Sequence, residues 1–368
     1  MLVATLKATA SLKIITPRSP TLADLSILTT FRKIISYLQR QPAYVNWLLK
    51  ASIAALFCGY LYMEILGRKD FGEIRQTFLS QLGKPERTRW LVLLIVLMPF
   101  NWAAETRKWI SLVRKVEYLS FWQAFKAVLA GVAFSLFTPN RVGEFGGRIL
   151  FVRPRNALKA ALSTLVGSFA QQLILIGFGF VGFVYFLVRL WTIETWILQG
   201  IIFLGALLIL LLAFAFLNLN LIVPIVKKVA FLHRFKKVIR NVHIVRKYST
   251  SELNETLLWA SIRYLIYCSQ YYFALKFFGI DVPVLDSAAC IATVYLLQTS
   301  IPLPPLVGLM ARGGVALKIW GLFHADATCI LAATFSLWTI NLLPPALLGL
   351  YFIVNANILK SLGYEKSP

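Results

Sequence analysis

Residues 158–188 read LKAALSTLVGSFAQQLILIGFGFVGFVYFLV. The stretch carries one charge, Lys159, and does not alternate polar with apolar. About 18–20 such residues suffice for a helix to cross a hydrocarbon core. A lipid-facing barrel strand would be shorter and would alternate. The stretch therefore reads as an α-helix built for lipid, and it sets the class of the chain. Gln171 and Gln172 sit near its middle, while Gly177, Gly179 and Gly182 thin one flank for a second helix.

Further apolar runs flank it, near residues 46–66, 90–112, 121–137, 196–223, 255–278, 284–301 and 326–354. The 368 residues are 58% hydrophobic and 14% charged, with a mean hydropathy of +0.72. Soluble domains are closer to about half apolar and a quarter charged. The expected fold class is all-α: a polytopic membrane helix bundle of about eight spans in the cell (inner) membrane. Residues 46–355 form this transmembrane domain, between an N-terminal basic tail (1–45) with an interfacial helix and a short tail at 356–368. The start lacks a sustained apolar core and cleavage site, so no signal peptide is expected.

The net charge of +23 lies mostly in the loops, which suits an anionic membrane surface and argues against nucleic acid as the partner. Residues 227–247, KKVAFLHRFKKVIRNVHIVRK, read as a basic amphipathic helix on that surface. The four cysteines fall in apolar runs without CxxC spacing, so neither a metal nor a cofactor is expected. Counting eight full spans from a cytoplasmic N-terminus puts one basic region on the wrong side. That conflict points to re-entrant pieces.

Two breaks are candidates for those pieces: FTPNRVGEFGGR at 137–148 and SIPLPPLVGLMARGG at 300–314. Each follows an apolar run and combines a small hydroxyl residue, proline, glycine and arginine. Paired interruptions in two halves point to an inverted repeat with a site between them. In the first, Thr138 reads as an N-cap and Pro139 as the first helical residue. Arg141, Glu144 and Arg148 then share a face, with the arginines suited to a phosphate and Glu144 holding them in place. Gly143, Gly146 and Gly147 let a headgroup or helix reach the backbone; Pro302 marks the second break. The alternative is an Arg–Glu cluster that merely ends a helix at the interface.

Polar residues inside the other runs extend the candidate site to Gln171, Arg263, Gln270 and Arg312. An arginine deep in a span costs about 2.5–3.5 kcal/mol on insertion scales, so Arg263 needs a carboxylate, and Glu105 and Glu144 are available. Otherwise it snorkels to an interface. The run at 90–112 also carries Asn101, Arg107 and Lys108, and Asn341 lies in the last run.

The sequence resembles the flippase-like family that shares the transmembrane domain of lysylphosphatidylglycerol synthase. The resemblance rests on TPNRVGEFGGR, NWAAETRKW at 101–109, RYLIYCSQYYFALKFFG at 263–279 and IPLPPLVGLMARGG. Its most specific part is Pro139, Arg141, Gly143 and Glu144. The late motif departs, because Gly313 follows Arg312 where the family commonly has a glutamate. The resemblance implies a domain that handles a lipid with a charged headgroup. The family's soluble aminoacyltransferase partner is not expected here, nor is lipid aminoacylation.

The expected function is binding and flipping of a phospholipid or other amphiphile with an anionic or zwitterionic headgroup, without enzymatic activity. The chain lacks a P-loop signature, so ATP is not the expected drive. The alternatives are a membrane-embedded transferase on a phospholipid or polyprenyl substrate, with Glu144 as base, and an envelope scaffold. A homo-oligomer is a further expectation.

Overall fold

The computed structural model describes residues 71–136, 142–190, 193–221, 241–299 and 305–356, with isolated positions such as Thr138. The tail 1–45, most of the run at 46–66, Pro139, Arg141, Pro302, residues 227–240 and 357–368 lie outside the described residues. Within them every regular element is helical. The α-helices are α1 (Phe71–Leu82), α2 (Pro85–Val113), α3 (Phe121–Ser135), α4 (Gly143–Ile149), α5 (Ala157–Leu190), α6 (Thr195–Leu217), α7 (Thr250–Phe277), α8 (Val284–Thr299), α9 (Pro305–Trp320) and α10 (Ala327–Asn355).

Local chemistry sets several boundaries. Ser120 caps α3 and Ser249 caps α7, each in a reciprocal box with the residue three positions on, Gln123 and Glu252. Asp326 caps α10 through the Cys329 N–H. Gly279 ends α7 at φ +77°, a conformation that glycine adopts without a Cβ penalty.

α2 and α7 form an antiparallel spine. Ser111 meets Thr256, Arg263 meets Asn101, and Gln270 meets the Leu94 carbonyl. Each step forward on α7 thus matches a step back on α2. α2 is continuous through Pro99, and only its second half is mostly buried. The first half turns Val92, Leu93, Ile95, Val96 and Phe100 outward, an apolar surface suited to lipid. α6 is more exposed still, with Phe203, Leu204 and Leu210 at 65–67%. Among the described residues three helical segments are long and apolar enough to cross a membrane: Pro154–Arg189, Thr195–Leu217 and Ala327–Asn355.

The chain turns back at the first break. α3 has 15 residues, about 22 Å at 1.5 Å per residue and short of a roughly 30 Å core. α4 then returns along it, with Gly143 against the Phe134 carbonyl and Gly147 against Ala130 and Gly131. A Cβ at either glycine would strike main chain. Gly146 faces open space. The expected cap works differently from the expected geometry. Thr138 Oγ1 accepts from the Gly143 N–H at 2.6 Å, but the helix begins only at Gly143, after a turn at Val142.

The second break does the same from the opposite end. α8 runs antiparallel to α5: Asp286 meets Tyr185, Ala292 meets Gly182, Leu296 meets Gly179, and Thr299 meets Gln172. α9 then leads back, since Phe323–Asp326 and Phe278–Val282 line one cleft beside the start of α8. The two short apolar runs before the breaks are therefore inward limbs of hairpins, as re-entrant segments require. α2, α3–α4 and α5 stand to α7, α8–α9 and α10 as an inverted pair.

This arrangement brings the described basic stretches together. At one end, the Glu117 carboxylate accepts from Arg153 N and Asn156 Nδ2, while Lys115 and Arg114 reach Glu252 and Glu255. Residues 114–117, 153–156 and 252–255 thus gather on one side. Val242–Lys247 is a 3-10 turn whose Val242, Ile244 and Val245 are buried, so this part of the expected surface helix packs into the bundle.

Packing on α3 makes a prediction. On its far side, Gly349 of α10 abuts the Leu129 carbonyl. Gly349→Ala should destabilise the protein by about 1–3 kcal/mol through overpacking. Gly314→Ala, where no atom lies within 4 Å, should not. Thermal unfolding in detergent separates the two.

Candidate functional site

The site is built around one carboxylate. Glu105 lies on the buried half of α2, with its side chain 4% exposed. Its Oε1 accepts from Arg148 Nη2 at 2.7 Å, across from α4. Its Oε2 accepts from Arg263 Nη1 at 2.7 Å, across from α7, and lies 2.6 Å from Lys108 Nζ one turn along α2. Three cations on three helices thus converge on one group. Glu144 adds a second carboxylate, 3.3 Å from Arg148 Nη2.

The cations are fixed on their other sides. Arg263 Nε donates to Asn101 Oδ1, whose Nδ2 donates to Asn341 Oδ1 of α10. Lys108 Nζ donates to Gln171 Oε1, and Gln171 Nε2 to the Ala260 carbonyl. Trp102 lies under the Arg263 guanidinium at 5.2 Å and Trp109 under that of Arg148 at 5.5 Å, attractive cation–π distances. Both indoles are themselves held, by the Asn341 carbonyl and by Thr164 Oγ1. Gly131 makes room for the Arg148 stem: a Cβ there would lie 3.2 Å from Arg148 Cγ. The network joins α2, α4, α5, α7 and α10, and Trp109 and Arg148 set it against α3.

Of the residues singled out in the sequence, Glu144, Arg148, Gln171 and Arg263 come together here. Arg263 does not snorkel; its side chain is 14% exposed and its carboxylate is Glu105. Gln270 is fully buried two turns further along α7, and its Nε2 donates to the Leu94 carbonyl. Arg312 sits partly exposed on α9 and shares no hydrogen bond or ion pair with the described residues. Glu105 is legible in the sequence as one of two carboxylates available to Arg263, because a buried arginine needs one within reach. Lys108, Asn101 and Asn341 show only as polar interruptions of apolar runs.

Among the described residues the cluster sets three positive groups against two negative ones. Breaking a buried ion pair by removing one partner costs about 3–5 kcal/mol, because the other charge stays buried. Arg148 Nε is buried with no hydrogen-bond partner among the described residues. The centre can therefore accept one further negatively charged oxygen, both in charge and in donors.

Glu105→Gln should lower stability by about 3–5 kcal/mol, by leaving three cations sharing a neutral amide. Combining it with Arg263→Gln should cost clearly less than the two single losses together, because the residues interact directly. Chemical denaturation in detergent measures both.

A family model described as the lysylphosphatidylglycerol synthase transmembrane region matches residues 47–349. No curated protein and no solved structure matches the chain. The match takes in both hairpins and every helix of the cluster, so the chain belongs to the family of the lysylphosphatidylglycerol synthase transmembrane region and is a multi-pass membrane protein related to lipid handling.

Proposed function

We propose that the protein translocates a lipid with an anionic or zwitterionic headgroup between leaflets of the cell (inner) membrane. One observation carries the reading: a buried cluster with more cations than carboxylates stands at a re-entrant hairpin inside a lipid-facing bundle. A headgroup phosphate supplies the missing negative charge while its acyl chains remain in lipid. Arg141 and Arg148 are its proposed ligands on the first hairpin, with Gln171 and Arg263 behind them. Opposed hairpins supply the parts for alternating exposure of such a site.

The charge distribution supports an orientation. The end bearing Arg114, Lys115, Arg153, Arg155, Arg246 and Lys247 faces the cytoplasm, since cytoplasmic loops collect Lys and Arg. The opposite end mixes Lys84 and Arg87 with Glu86, Asp281 and Asp326. The first hairpin then opens from the cytoplasmic side.

An enzymatic role fits this geometry less well. A general base needs a free lone pair near the substrate proton. Both Glu105 oxygens are already bonded to cations, and Glu144 leans on Arg148.

Reconstitution in liposomes with fluorescent phosphatidylglycerol, quenched from outside, tests the reading. The wild type should equilibrate the probe between leaflets, and Arg141→Ala and Glu144→Gln should slow it at least tenfold. A covalently altered lipid in mass spectrometry would favour the transferase instead. Binding without movement or modification would favour the scaffold.

A further inference from the structure

The two halves of the chain keep a common register. Pro139 and Pro302 stand 163 residues apart, Arg148 and Arg312 164, and Glu105 and Gln270 165. The structure gives the last two pairs matching elements. Arg148 and Arg312 each lie on the returning limb of a hairpin, α4 in one half and α9 in the other. Glu105 and Gln270 lie on the spine helices, near the end that each hairpin enters, and both are buried. The inverted pair thus extends to the polar groups.

The symmetry is broken at one chemical step. In the first half the spine residue is a carboxylate, and it neutralises its arginine at 2.7 Å. In the second half it is an amide. Gln270 spends its Nε2 on the Leu94 carbonyl, and its Oε1 is buried without a partner. Arg312 has no carboxylate among the described residues. α9 is nevertheless anchored around it: Gly313 packs on Leu331, and Ala316 and Trp320 are fully buried. The guanidinium is therefore carried on a packed helix, partly out of solvent, with no ion-pair partner among the described residues. An arginine in that setting recruits an anion with planar, paired oxygens.

We propose that Arg312 forms a second anion station, in the half of the protein away from the basic end, which holds a lipid phosphate through its own charge with no internal carboxylate to displace. The proposal rests on the translocation reading for the lipid, but its binding step stands apart from movement. At the first station a phosphate competes with Glu105 and Glu144 for Arg148. At the second no described carboxylate competes, so the second holds the phosphate more tightly.

Binding of short-chain phosphatidylglycerol to the purified protein, by calorimetry, tests this directly. Arg312→Gln should weaken binding at least tenfold, and Arg312→Lys should restore most of it. Both variants should unfold at the wild-type temperature, because Arg312 supports no other described residue. Inorganic phosphate is the second arm: competition at equal concentration would assign the site to free phosphate rather than lipid and overturn the lipid assignment. Unchanged binding in Arg312→Gln would overturn the station itself. Arg312-dependent binding without leaflet exchange would leave the station standing and remove the translocation reading. Exchange that is indifferent to Arg312→Gln, with binding also unchanged, would do the reverse.

Discussion

A single carboxylate shared by three cations holds this bundle together. Glu105 takes Arg148 on one oxygen and Arg263 with Lys108 on the other. Each cation belongs to a different part of the chain or a different turn, so the carboxylate fixes where the first hairpin, the spine and α5 meet. Without it, an apolar interior would face charges it cannot solvate. A buried cation costs a few kcal/mol, and a domain's whole net stability is only about 5–15 kcal/mol. The wider network serves the same end: Asn101, Asn341, Gln171 and the two tryptophans use the remaining donors and ring faces, so the cations cannot readily swing away.

Close backbone packing makes the cluster reachable. In lipid, helices gain little from burying apolar side chains against one another, because the tails are equally apolar. Association relies on shape. Gly143 and Gly147 bring α4 onto α3, and Gly349 brings α10 onto the other side. Ala124, Ala127, Ala130 and Ala133, all fully or nearly fully buried, complete a thin α3. Arg148 can then reach Glu105 past Gly131. Larger residues at these positions would hold the hairpin away and leave the arginine short of its partner. The same device recurs where Gly179 and Gly182 admit α8.

The inverted pair sets a charged centre between two opposed hairpins. A hairpin that enters and leaves from one face does not anchor in the opposite leaflet, so it can shift without pulling a span through the membrane. One half is tied at Glu105. In the other, Gln270 stands on the spine at the corresponding register and offers its hairpin arginine no charge.

The sequence by itself determined the class, the membrane setting, the two breaks and the presence of buried charge. These follow from composition and from local periodicity, which any window of the chain displays. It also narrowed the partner of Arg263 to two carboxylates. It could not choose between Arg263 and the interface, nor show that the runs at 121–137 and 284–301 turn back, nor place Glu105 rather than Glu144 at the hub. Those outcomes depend on contacts between residues up to 240 positions apart, as for Asn101 and Asn341. Sequence spacing carries no information about which distant helix faces close; only the three-dimensional packing of glycines and alanines decides that, and with it which charges meet.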